Sequence, residues 1–152
     1  AVLRGVMAMA RILVVGVAAA FASAISGCDF RSPDADVGRQ IEVLADRTQG
    51  AEDRMIRMSA LRLGPWDEIL VYEPYSSPDL PRASPWMQAR FDRIGIDRND
   101  GITAVALIRD GRVVDVGEVR RDRADLVEVD RLKPTECLRL DDGWPEATKI
   151  AC

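Results

Sequence analysis

The chain has 152 residues with 21 basic side chains, 25 acidic ones and no histidine, a formal net charge of −4. This acidic balance argues against a general electrostatic affinity for nucleic acid or anionic headgroups, and the missing histidine removes the usual activating base of a serine or cysteine nucleophile and the commonest zinc ligand. The length suits one domain built on a single core.

The first predicted element is a targeting segment. Arg4 and Arg11 accompany an apolar stretch from Ile12 to Gly27 of 16 residues, short of the about 20 that a membrane-spanning helix needs. The stretch closes on Ile25-Ser26-Gly27-Cys28, with small residues ahead of the cysteine. This tetrapeptide resembles the lipobox of bacterial lipoprotein signal peptides. The resemblance implies cleavage of residues 1–27, acylation of the Cys28 sulfur, and a folded domain held by its lipid at the extracytoplasmic side of a bacterial membrane. An uncleaved apolar anchor, and a soluble cytoplasmic protein that buries the stretch as a strand, are the alternatives. Ala1 is not an initiator methionine, so Met7 and Met9 are candidate starts. Asp29, directly after the cysteine, resembles an inner-membrane retention signal of enteric bacteria, but other lineages sort differently, and inner and outer membrane both stay open.

Cleavage would leave 125 residues with 19 basic and 25 acidic side chains, a net charge of −6. Residues 28–34 read as a lipidated polar tether and 35–152 as one domain. A helix is expected to start after Ser32 or Asp34, either able to cap it, with Pro33 suited to the first turn. Val37, Ile41, Leu44, Thr48, Ala51, Met55 and Met58 then recur at three- and four-residue steps. Gly50 interrupts this stripe, giving one long helix with a weak point or two shorter ones. The stripe is too brief for a coiled coil and is expected to pack on the domain's own sheet.

Gly64-Pro65 ends the helical pattern, and Trp66 to Tyr72 reads as a central strand. Glu73 to Ala83 contains three prolines and is expected to be a loop. Ser84-Pro85 offers a second helix start, with Met87, Phe91 and Ile94 on one face and Gly95 as the stop. Ile102 to Ile108 and Val113 to Val119, separated by Asp110-Gly111, predict a β-hairpin. Leu126 to Val129 is expected to add a strand, and Glu136 to Leu140 with Ala147 to Ala151 a last hairpin. The fold class is therefore α+β, a small two-layer domain with both helical regions on one face of an antiparallel sheet.

With Cys28 lipidated, the even pair Cys137 and Cys152 remains. A disulfide between them would suit an oxidising compartment and contribute about 3 kcal/mol by restricting the unfolded chain.

Trp66-Asp67 followed by Pro74-Tyr75 resembles a group of small bacterial lipoproteins of uncharacterised function over residues 60–120, which implies no catalytic role. Carboxylates that could serve in acid–base pairs include Asp67, Glu68, Glu73, Asp79, Asp141 and Asp142, but no spacing unites them. Ser76, Ser77 and Ser84 lack an activating base, Lys133 and Lys149 standing at no S-x-x-K spacing. Asp97-Arg98-Asn99-Asp100-Gly101 places its glycine one position early for a calcium loop and is expected to be a polar turn. The sequence implies no metal and no cofactor. It points to a non-catalytic binding or structural domain, with Trp66, Tyr72, Pro74, Tyr75 and Trp86 as its candidate surface for an envelope protein or cell-wall component. An inhibitor of a cell-wall hydrolase and a small periplasmic hydrolase using paired carboxylates are the alternatives.

Overall fold

The computed structural model describes residues 36–152. The lipobox, Cys28, the tether and the expected helix caps Ser32 and Asp34 with Pro33 lie outside the described residues. The first element is helix α1 (Val37–Thr48), whose cap is Asp36: its side chain accepts from the Arg39 amide at 2.9 Å. Strand β1 (Met55–Arg57) follows, then β2 (Glu68–Tyr72), helix α2 (Pro85–Asp92), β3 (Ile102–Arg109), β4 (Arg112–Arg120), β5 (Arg131–Leu132), β6 (Glu136–Leu140) and β7 (Ala147–Ala151).

Two antiparallel sheets result, a four-stranded one in the order β4-β3-β2-β5 and a three-stranded one in the order β1-β6-β7. The α+β class is as expected, and β2 lies inside its sheet. The expected placement of both helices on one face is corrected by the alternation of β3. Val105 and Leu107 join Ile69 and Val71 of β2, α1, and Ile56, Leu138 and Leu140 of the small sheet in one core. Ala104, Ala106 and Ile108 point the other way and join Met87 and Phe91 of α2. The large sheet is therefore a shared wall, with α1 and the small sheet on one face and α2 on the other. Successive strand side chains alternate sides, so a run buried from Ile102 to Ile108 requires cover on both.

The stripe beyond Thr48 does not continue α1. The helix ends before Gly50, and Met55, Ile56 and Arg57 form β1, paired with Arg139, Leu138 and Cys137 of β6. Ladder bonds and burial of Ile56 outweigh the helical spacing of Met55 and Met58, which belong to different local structures. Leu126 to Val129 is not the expected strand. Leu126 and Val129 are buried, but they close a turn in which the Val129 amide donates to the Leu126 carbonyl at 2.8 Å, and the strand flanking β2 opposite β3 is β5.

The other hairpins form as expected. Asp110 and Gly111 connect β3 to β4 with positive φ of 52° and 67°, the two-residue turn whose twist matches antiparallel strands. The Asp67 carboxylate accepts from the Asp110 amide at 2.6 Å and ties this turn to β2. A disulfide joins Cys137 in β6 to Cys152, one residue beyond β7, with Cα atoms 5.3 Å apart. It clamps the last hairpin at its open end.

Helix α1 reaches β4 through two glycines. A Cβ on Gly38 would fall 2.1 Å from the Glu118 carbonyl oxygen, and one on Gly117 would fall 2.7 Å from the Gly38 nitrogen. Backbone thus meets backbone at this crossing. Glu42, buried on α1, accepts from the Arg120 amide at 2.9 Å and so supplies a partner for the edge of β4. Gly38→Ala should therefore cost about 3 kcal/mol, since neither backbone can yield, whereas Gly50→Ala, with nothing within 4 Å, should be neutral or stabilising by about 0.5 kcal/mol. Urea midpoints of the two variants beside the parent check this contrast. Equal midpoints would mean that the crossing is looser than described.

Candidate binding surface

The loop between β2 and α2 is held against α2 from several directions. Leu80 is buried among Met87 and Phe91. The Gln88 side chain accepts from the Leu80 amide at 2.9 Å, and donates to the Pro78 carbonyl at 3.3 Å and the Asp92 carboxylate at 2.9 Å. Ser84 caps α2 by accepting from the Met87 amide at 3.2 Å, and Pro85 occupies the first turn as expected. Between loop and helix lies a cleft of about 440 Å³ lined by Ser76, Pro78, Asp79, Phe91, Asp92 and Arg98.

Tyr75 stands out from this loop. Its φ is +63°, a left-handed conformation that costs a bulky residue energy. Its amide donates to the Ile96 carbonyl at 2.6 Å, yet its side chain is 67% exposed. The backbone is fixed while the ring faces solvent. Ser76 donates its hydroxyl to the Glu73 carbonyl at 2.6 Å, and Ser84 is used as a cap.

The five residues expected to form one surface are divided by the fold. Trp66 is half-buried against the core on the α1 side. Tyr72 is on the opposite face, edge-on to Phe91 with ring centroids 5.2 Å apart, and burial pushes its phenol above the ordinary value. Trp86 is 62% exposed but lines a different cleft with Asp36, Arg93 and Glu118, and the Arg90 guanidinium carbon lies 6.0 Å from its ring centroid. Only Pro74 and Tyr75 stay with the loop. Residues 66 and 72 have the same parity, but Trp66 precedes β2 and does not follow its alternation.

The carboxylates are dispersed as well. Asp67 holds the β3–β4 turn, Glu68 lies 3.7 Å from Arg131, Asp142 pairs with Arg54 at 2.7 Å, and Glu73 and Asp79 are exposed in the loop. Asp97 to Gly101 forms the expected polar turn, with the Asn99 side chain accepting from the Gly101 amide at 2.9 Å. Among the described residues no three of histidine, cysteine, aspartate and glutamate gather into a metal site, and no helix is long and apolar enough to cross a membrane.

One arrangement escaped sequence reasoning. Buried Asp125 receives two hydrogen bonds from Arg121, at 2.9 and 2.7 Å, and one from the Trp144 indole at 3.0 Å. Burial alone would raise its carboxyl, but these donors and the Val127 amide hold it below the usual carboxylate range. The signal was Gly143-Trp144-Pro145, a large aromatic in a turn with no strand face to pack on. Comparison of the chain with known protein families, with curated proteins and with solved structures found no match.

A carboxyl lowered by folding adds stability above its unfolded value, about 3.9, and loses it as pH falls through the lower folded value. Acidification below about pH 4 should therefore weaken the parent more than Asp125→Asn. Urea midpoints measured from pH 7 to pH 2 should converge as Asp125 protonates, and a constant gap between the two proteins would contradict this.

Proposed function

We propose that this protein is a non-catalytic binding domain, anchored through a lipid on Cys28 to the extracytoplasmic side of a bacterial membrane, and that the loop carrying Tyr75 contacts another envelope protein. The observation that carries the binding role is Tyr75 itself. An exposed aromatic on a backbone already held in an uncommon conformation has no main-chain freedom left to lose when it binds, so only side-chain ordering opposes its contact energy. Nothing in the core requires the ring to be there. The loop below it is secured by Leu80 and Gln88, which makes the surface rigid rather than adaptable. The Cys137–Cys152 disulfide supports an oxidising compartment.

Two measurements test the two halves of this reading. The intact mass of the protein isolated from its host membranes should equal residues 28–152 plus acyl groups and should lose the acyl groups in Cys28→Ala. An unmodified chain retaining residues before Cys28 would sink the anchor. For the surface, a photo-reactive phenylalanine analogue at position 75 should give a discrete cross-linked species in cells, while the same probe at exposed Glu128 should not. Identical patterns at the two positions would refute the loop as a contact surface.

A further inference from the structure

Trp144 is exposed to 58% although its position is tightly determined. Its indole N–H is committed to Asp125, and the backbone on either side is held too: Gly143 turns the chain with φ of 94°, and the Pro145 carbonyl accepts from the Asp125 amide at 2.7 Å. Asp125 is in turn gripped by Arg121, whose remaining guanidinium nitrogen donates to the Asp100 carbonyl at 2.9 Å. The result is an aromatic ring fixed at its polar edge and left open to solvent.

The ring borders a cleft of about 540 Å³ together with Asn99, Asp100, Ile102, Arg120 and Asp122, within the size range of small-molecule sites. The lining selects a ligand class. Arg120 and Arg121 on its wall are already paired, with Glu42 and Asp122 and with Asp125, so an anion meets no uncommitted guanidinium there, while Asp100 and Asp122 offer acceptor oxygens. A purely apolar ligand would strip water from those charged groups without replacing its hydrogen bonds. A neutral, polyhydroxylated ring meets both demands. The C–H face of a pyranose is apolar and stacks on an indole, while its equatorial hydroxyls both donate and accept. The Asp100 and Asp122 carboxylates can accept from such hydroxyls. The Asn99 amide nitrogen can donate to them, since the Gly101 amide occupies only the Asn99 oxygen.

We propose that the Trp144 cleft binds a glycan, with the indole as stacking platform and Asp122, Asp100 and Asn99 as hydroxyl partners. This surface is separate from the Tyr75 loop, and the inference stands whether or not that loop engages a protein. The pre-set ring lowers the ordering cost of binding. Asp125 and Arg121 are positioning residues here, since they act through Trp144.

The test is titration of the full mature protein with β-1,4-linked tetramers of N-acetylglucosamine and of glucose, by calorimetry and tryptophan fluorescence. Saturable binding of either tetramer is expected, and which one binds more tightly reports whether the glycan is amino-sugar or plain hexose. Trp144→Leu, similar in apolar character but without the aromatic face, should weaken binding at least tenfold, and Trp144→Phe by less. Trp86→Phe, in a different cleft, should leave it unchanged. Asp122→Ala alters only an exposed side chain that pairs with Arg120 at 3.7 Å, so it tests the site even if Trp144→Leu unfolds, and should weaken binding at least threefold. Absence of binding to both tetramers, or equal binding by the parent and a folded Trp144→Leu or Asp122→Ala variant, would overturn the proposal.

Discussion

The crossing of α1 and β4 is the constraint on which the domain depends. Glycines at 38 and 117 let one backbone approach the other closely enough that no side chain fits between them. That approach brings two acidic groups into reach of main-chain donors. Glu42 takes the Arg120 amide, and Asp115 takes the Val37 amide at the first turn of α1. The helix start and the sheet edge thus satisfy each other's polar groups, which neither could do if buried alone.

Asp115 also connects the two sides of the large sheet. One oxygen faces α1, and the other lies 2.6 Å from Arg90 of α2. Two helices packed on opposite faces are therefore linked at a single buried carboxylate, in addition to the apolar cores that β2 and β3 separate. Removing Arg90 would leave the buried Asp115 carboxylate without its charged partner, a costly state in a protein interior. The small sheet enlarges the α1-side core, its disulfide joins the end of β7 to β6, and Lys149 of β7 donates to the Arg131 carbonyl of β5 at 3.2 Å.

Three exposed aromatics, Tyr75, Trp86 and Trp144, differ in how they are held. Tyr75 is fixed through its backbone, Trp144 through its indole nitrogen, and Trp86 has an Arg90 guanidinium beside its ring. Trp144 is the one whose side chain itself loses freedom on folding, through its indole hydrogen bond, which suits it to recognition. Trp144 and the Tyr75 loop border different clefts.

Local order was legible in the sequence wherever it depends on neighbours along the chain. The Asp110-Gly111 turn, the Ser84-Pro85 helix start, the proline-containing loop, the terminal hairpin and the even cysteine pair are consequences of backbone conformations and spacings that few residues allow. The class of the fold followed from them. What only the tertiary structure decided was allocation between faces and partners. The two-sided burial of β3 was written in its unbroken apolar run, but which helix covers which face depends on contacts distant along the chain. The same holds for Met55, which has helical spacing yet pairs with β6, and for Leu126 and Val129, which fill the core from a turn. Trp144 shows the limit most clearly: an aromatic between glycine and proline is visible in the sequence, but its fixed and open ring exists only because Asp125 and Arg121, some 20 residues earlier, fold beneath it. Hydrogen-bonding type is local information, whereas the partner that satisfies it is set by the global packing.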